Sequence, residues 1–221
     1  MKCLKRIVWD WNGTLFDDVD LCFSCINRLL VHHGLEELHT LDQYRNVFGF
    51  PIENYYKKVG FDFEKTPFSV LADEYMKDYQ EKSYHCLLHK DVLETISKAN
   101  QYGFTQTVLS ASKKEYLLKQ MKTLHVDSLF DSIYGITDIF AKSKMDLASR
   151  FVQTCNLDDE IWFVGDSLHD YEVAKQMQAH CVLVTTGHQS RNVLEKAGVS
   201  VVDSLMEGLD VMYERSTCKS K

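Results

Sequence analysis

The sequence predicts an α/β fold: a doubly wound parallel sheet with an all-helical segment inserted after its first strand. Two observations carry this. Short runs rich in β-branched and aromatic residues recur, each ending in a polar or Gly-containing turn and leading into a helical pattern. Between about Asp20 and Tyr84 those runs stop, and apolar residues recur at helical spacing instead.

The elements follow in order. Ile7-Val8-Trp9 is a buried strand ending at Asp10. Leu21, Cys25, Leu29 and Val31 to His33 mark a helix, and Thr40-Leu-Asp-Gln43 is a capping box opening another. Tyr55, Tyr56 and Val59, then Phe68, Leu71, Tyr75 and Tyr79, continue the helical spacing. Both prolines, Pro51 and Pro67, fall here, where turns between short helices are expected. Thr107-Val108-Leu109 resumes the sheet and ends at Ser110, after which Ser112-Lys-Lys-Glu115 reads as a capping box for a helix to about Thr123. Ile161 to Val164 ends at Gly165-Asp166, and Cys181 to Val184 ends at Thr185-Thr186-Gly187. Val199, Val201 and Val202 form a last strand, and Ser204-Leu-Met-Glu207 caps a C-terminal helix. The organisation expected is a core of residues 1–17 and 86–221 and a helical unit of residues 18–85, with a frayed tail from Ser216.

The chain has 221 residues, enough for one or two domains. Its 25 Lys and Arg stand against 32 Asp and Glu, a formal charge of −7. That leaves no basic surplus for coating nucleic acid. No apolar stretch approaches the roughly 18 residues of a membrane span, and the first apolar run breaks at Asp10, too early for a signal peptide. The seven scattered cysteines read as free thiols in a reducing, cytoplasmic compartment. Cys22 and Cys25 form a CxxC without a second pair, inside a helical pattern, and read as helix residues rather than a metal or redox site.

In open α/β sheets ligands bind outside the carboxyl ends of the strands. Those ends present Asp10-Trp-Asn12-Gly13-Thr14, Ser110-Ala-Ser112, and Gly165-Asp166-Ser167-Leu-His169-Asp170, with Lys142-Ser-Lys144 opening a further helix. Each fragment alone reads as an ordinary turn or cap. Jointly they have a chemical logic. Asp10 and Asp166 offer hard oxygen ligands to a cation such as Mg²⁺. Gly13 permits a tight turn against a ligand. Ser110 can hydrogen-bond a phosphate oxygen, and a lysine can neutralise it. A carboxylate beside Mg²⁺ can attack phosphorus and form an aspartyl-phosphate.

Asp10-Trp-Asn12-Gly13-Thr14-Leu15-Phe16-Asp17 resembles the first motif, DxDGT, of the haloacid dehalogenase superfamily. Val108-Leu109-Ser110 resembles its second motif, and Gly165-Asp166-Ser167-Leu-His169-Asp170 its acidic fourth, GDxxxD. The resemblance spans nearly the whole chain and is nearest in style to the phosphoglycolate phosphatase-like hydrolases. It implies a Rossmann-like core with a helical cap between the first two motifs. The implied activity is Mg²⁺-dependent hydrolysis of a small phosphorylated metabolite through a phosphoryl-enzyme. Asp10 would be the nucleophile. Asp10, the backbone carbonyl of Asn12 and Asp166 would hold the metal. Ser110, Gly13, Thr14, Ala111 and the third-motif lysine would surround the phosphoryl group, and Asp170 would orient metal waters or the lysine. Ser143-Lys144 matches the Ser-Lys pair that such members carry and favours Lys144; Lys142 instead keeps the four-residue spacing to Asp146.

Asn12 departs from the family, whose phosphatases carry an Asp general acid there. Losing general acid–base catalysis costs on the order of 10²–10⁴ in rate. A slower phosphatase, a substrate with a good leaving group, a replacement acid such as His169, and a protein that only binds are the competing explanations. Phe48-Gly49-Phe50-Pro51 resembles the substrate-reading cap loop, and Arg45 is a candidate for a substrate carboxylate. The cap aromatics read as its core. Lys57 and Lys58 raise the Schiff-base chemistry of the superfamily's phosphonatases, which however carry a small residue where Asn12 stands. The alternatives are a phosphometabolite-binding regulator and a metal-independent dehalogenase, against which the Asp166/Asp170 pair argues. The expected assembly is a monomer or homodimer.

Overall fold

The computed structural model describes residues 3–137 and 143–216. In chain order it forms β1 (Lys5–Trp9), β2 (Phe16–Asp17), α1 (Val19–His32), α2 (Leu41–Val47), α3 (Ile52–Lys58), α4 (Phe68–Ser83), β3 (Leu87–Leu88), α5 (Val92–Gln101), β4 (Phe104–Lys113), α6 (Lys114–Thr123), β5 (Ser132–Ile136), α7 (Lys144–Val152), β6 (Glu160–Gly165), α8 (Leu168–Gln176), β7 (His180–Val184), α9 (Arg191–Leu194), β8 (Ser200–Val202) and α10 (Leu205–Arg215). Among the described residues six strands pair in the order β5-β4-β1-β6-β7-β8, all parallel. The chain thus forms the doubly wound α/β fold.

Strand alternation divides the core. Successive side chains point to opposite faces of a sheet. Trp9, Val108, Trp162, Val164 and Val182 therefore join α5, α6 and α10 in one layer. Val8, Leu109, Phe163, Cys181 and Leu183 join α7, α8 and α9 in the other. Helices α1 to α4 bury a separate cluster of Ile26, Leu30, Tyr44, Tyr55, Tyr56 and Leu71. The antiparallel pair β2-β3 joins the two ends of that helical segment to the core.

Several local expectations need correction. Strand β5 lacked a long apolar run, because it is a half-buried strand at the sheet edge. Ser112 does not cap α6. Strand β4 runs on to Lys113 with a register shift after Leu109, and Lys113 is the N-cap with no side-chain bond. The Thr40 capping box is complete, and Ser204 accepts from the Glu207 N–H. Cys22, Cys25, Cys86, Cys155 and Cys181 are free, but Cys3 is disulfide-bonded, against the expectation of seven free thiols. Spacing along a chain does not say which cysteines a fold brings within bonding reach. Among the described residues no helix is long and apolar enough to cross a membrane.

Two substitutions test the packing. Phe163 is fully buried, so Phe163→Ala should lose about 3–5 kcal/mol in urea denaturation. Among the described residues the buried Tyr55 hydroxyl has no hydrogen-bond partner, so Tyr55→Phe should be neutral or stabilising. A clear loss for Tyr55→Phe would show that the hydroxyl has a partner.

Candidate active site

The strand order reverses around β1, which lies between β4 and β6. The crevice at such a reversal is where ligands bind in open sheets. Asp10 follows β1, Ser110 lies in the irregular end of β4, and Asp166 follows β6. Lys144, first residue of α7, reaches in from beside them. Its Nζ donates to Asp10 Oδ1 at 2.5 Å and also to Asp170 Oδ1. Lys142 lies outside the described residues, so Lys144 is the lysine seen to meet Asp10.

Asp170 has a second task. Its Oδ2 accepts from Ser167 N at 2.9 Å, Asp166 N at 3.1 Å and Ser167 Oγ at 2.6 Å. With Ser167 it forms the capping box of α8, a Ser-x-x-Asp signal present in the sequence but not used above. One carboxylate thus starts a helix and holds the lysine. The backbone around Asp166 is equally constrained. A Cβ on Gly187 would lie 2.1 Å from Asp166 Oδ2, and one on Gly13 2.5 Å away. Gly13 also has φ +74°, a conformation costly for other residues.

Ligand atoms of Asp10, Asp166 and Asp170 lie within 4.8 Å of one another, and all three residues are buried. Burial, and the neighbouring Asp170 and Asp166 charges, push the Asp10 carboxyl above the usual carboxylate range, opposed by Lys144. Burial likewise raises Asp166. Asp170 is held low, the Lys144 ammonium and hydrogen bonds from Lys144 and Ser167 outweighing its burial. Lys144 is raised by its two carboxylates against the opposing effect of burial. Three carboxylates against one ammonium leave excess negative charge in a water-poor site. An all-oxygen donor set of this charge fits a hard divalent cation such as Mg²⁺.

Asn12 is held from both ends. Its Nδ2 donates to Asp18 Oδ2 and to Tyr79 Oη, each at 2.8 Å. Its Oδ1 accepts from Ser112 Oγ at 2.8 Å. Tyr79 Oη donates to Asp18 Oδ2 at 2.6 Å, and Gly13 N donates to Asp18 Oδ1 at 2.9 Å. His188 completes the network. Its Nε2 lies 3.4 Å from Asp18 Oδ1, its Nδ1 pairs with Tyr44 Oη at 2.9 Å, and its backbone N donates to Asp166 Oδ2 at 2.6 Å. Burial opposes its charge, but the Asp18 hydrogen bond and nearby carboxylates prevail and hold the imidazolium up to about 9. Asp18 is lowered by His188, Tyr79 and Asn12 despite its burial.

Asp18, Tyr79 and His188 were not singled out as site residues from the sequence, and Ser112 was named at its strand end and as a helix cap but given no role in the site. His188 follows the Thr185-Thr186-Gly187 strand end, so the strand-end rule was sufficient to find it. Tyr79 sits on α4, and no local signal links it to Asn12.

A cavity of about 500 Å³ opens over the site, bordered by Asp10, Asn12, Ser110, Ala111, Lys144, Asp166 and Asp170 and by the helical unit above. Phe48 and Phe50 border it, and Phe50 stacks on His169 at 4.6 Å between ring centroids. His169 is half-buried beneath that ring, and its burial lowers the imidazole. The expectations for Arg45, Thr14 and Gly13 change. Arg45 does not face the cavity: its Nε donates to Gly187 O at 2.9 Å and its Nη2 to Thr186 O at 3.2 Å. Thr14 is fully buried and directs its hydroxyl at Asp166 Oδ1, 3.2 Å away, rather than at a ligand, and Gly13 packs behind Asp166. Lys57 lies over the Phe63 ring at 5.4 Å, away from the cavity.

Comparison with known proteins adds a family. The model of the haloacid dehalogenase-like hydrolases matches residues 7–184. The chain is 25% identical to a phosphoglycolate phosphatase of Nitrosospira multiformis, over 96% of this chain and 97% of that one. It is 23% identical to a phosphoglycolate phosphatase of Pseudomonas savastanoi pv. phaseolicola, over 92% and 78%. A haloacid dehalogenase-like hydrolase structure from Streptococcus pneumoniae superposes with a TM-score of 0.80 at 18% identity, covering 95% of this chain and 98% of that one.

The charge network predicts a pH dependence. The stability contributed by a group whose folded pKa is raised is fully present below its unfolded pKa and lost as pH rises through the folded value. For His188 that window runs from 6.5 to about 9. With EDTA present, the melting temperature should fall across this range, and His188→Gln should flatten the fall. An equally steep fall in His188→Gln would sink the assignment of charge to this residue.

Proposed function

Because the chain belongs to the haloacid dehalogenase-like hydrolase family, and so is an enzyme of hydrolytic type, we propose that it is a phosphatase acting on a small phosphomonoester with Asp10 as nucleophile. The observation that carries this is the Lys144 ammonium 2.5 Å from Asp10 at the foot of a cavity also bordered by Ser110 and Asp166. The relatives named phosphoglycolate phosphatase support the same reaction class.

The chemistry follows from the residues. An Asp10 oxygen attacks phosphorus in line, the bond from phosphorus to the leaving oxygen breaks, and an aspartyl-phosphate forms. Water then attacks that phosphorus, the bond to Asp10 breaks, and inorganic phosphate leaves. Lys144 neutralises phosphoryl oxygen, favours the ionised form of Asp10 against its burial, and aims it. Ser110 offers a hydroxyl to the phosphoryl group. Mg²⁺ held by Asp10, the Asn12 carbonyl and Asp166 would neutralise further charge on the transferring group. Asp170 positions Lys144. The helical residues 18–85 act as a cap that excludes water and contacts the leaving group. Asn12, its amide engaged at both ends, orients the Asp18–Tyr79 pair over the site but gives no proton. That same engagement favours a second reading, a phosphometabolite-binding protein with weakened turnover.

Asp10→Asn should abolish Mg²⁺-dependent phosphate release while leaving the melting curve cooperative; retained release at normal stability would overturn the nucleophile. Asn12→Asp should raise activity on alkyl phosphates more than on aryl or acyl phosphates, by about 10²-fold or more if it restores a general acid. Equal gains on all three would mean that no acid was missing.

A further inference from the structure

The cap-side wall of the cavity does not suit a charged leaving group. Phe48, Phe50, Ile52, Tyr75, Met76 and Tyr79 supply its apolar surface. The charged residues that the cap adds to the cavity border are acidic, Asp18 and Asp73. The cap arginine nearest in sequence to this wall, Arg45, is committed to the carbonyls of Gly187 and Thr186. Among the described residues the lysines bordering the cavity are Lys144, committed to Asp10 and Asp170, and Lys113, which stands on the core side at the end of β4. The cap also adds the neutral Gln80 and Ser83, and Asp18 is paired with the core-side His188, so a carboxylate on the leaving group would meet aromatic, neutral and acidic groups on the cap with no cap cation to pair it. A volume of about 500 Å³ is also far more than a two-carbon fragment fills.

The chemistry at Asn12 points the same way. Its amide hydrogens go to Asp18 and Tyr79, so position 12 delivers no proton to the departing oxygen. An alkoxide is then a poor leaving group. A phenolate, whose conjugate acid has a pKa of about 10, departs far more readily. Resting on the phosphatase reading above, we infer that the substrate is an aryl phosphate: a phosphomonoester of an uncharged phenol whose ring lies among Phe48, Phe50 and Met76. Asp10 attacks phosphorus, and the electron pair of the breaking P–O bond leaves on the phenolate, which takes its proton from solvent. Water then cleaves the aspartyl-phosphate as before. An acyl phosphate shares the good leaving group but would leave the aromatic wall without a partner.

The test compares the full chain with Mg²⁺ on phenyl phosphate, 2-phosphoglycolate and acetyl phosphate, with Asp10→Asn as the blank. In parallel, phenylphosphonate and phosphonoacetate are titrated calorimetrically into the Mg²⁺-loaded protein. The inference expects kcat/KM for phenyl phosphate at least thirtyfold above that for 2-phosphoglycolate, and phenylphosphonate bound at least tenfold tighter than phosphonoacetate. Asp73→Lys should narrow both ratios at least fivefold by placing a cation on the cap wall. Preference for 2-phosphoglycolate and phosphonoacetate, or equal use within threefold, would overturn the aryl assignment while leaving the phosphatase reading intact. No Asp10-dependent release from any of the three, acetyl phosphate included, would remove the phosphatase reading and this inference together.

Discussion

Three carboxylates and one ammonium converge at the ends of β1 and β6, and the arrangement of the surrounding chain follows from keeping them there. Asp10, Asp166 and Asp170 are buried, and Lys144 bridges the first and the last. Taking such charges out of water is expensive unless each is paired and hydrogen-bonded. The fold supplies those partners from backbone N–H groups at the start of α8, from Thr14, and from the N–H of His188. Glycine at 13 and 187 is needed because the carboxylate of Asp166 occupies the space a Cβ would take. The residual negative charge is what a divalent cation would answer.

The same constraint couples the helical unit to the core. The turn after β7 carries Gly187 and His188 against Asp166, and also receives the helical unit. Arg45 donates to its carbonyls, and Gln189 Nε2 donates to Phe48 O at 2.9 Å. Gln189 Oε1 in turn accepts from Leu168 N at 2.7 Å, at the head of α8. An arginine suited by type to reading a substrate carboxylate is thereby a fastening between two parts of the fold. That leaves the cap side of the cavity border with acidic charges, Asp18 and Asp73, among apolar side chains.

Asn12 illustrates how one atom type redirects a site. An amide cannot take or give a proton as a carboxyl does, but it donates and accepts at once. Here it donates to Asp18 and Tyr79 and accepts from Ser112, joining the turn after β1, helix α4 and the end of β4 in one network. Ser112 is available because the irregular end of β4 carries it past the point where the sequence places a helix cap. A capping signal was read correctly as a pattern and wrongly as a location, since strand pairing with β5 extends the strand through it.

The sequence by itself determined the parallel α/β core, the helical insertion, and Asp10, Ser110, Asp166 and Asp170 as strand-end chemistry. Apolar periodicity and strand-end polarity are local, and burial on both faces writes them into short stretches of chain. Strand β5 escaped because an edge strand is only half-buried and needs no apolar run. Tertiary structure alone decided that Lys144 meets Asp10, that Arg45 bonds the Gly187 carbonyl, that Tyr79 meets Asn12, and that Tyr44 meets His188. These contacts join residues 134, 142, 67 and 144 positions apart. No periodicity links such positions; only the convergence of the strand ends and the packing of the helical unit against them bring these groups within a hydrogen bond.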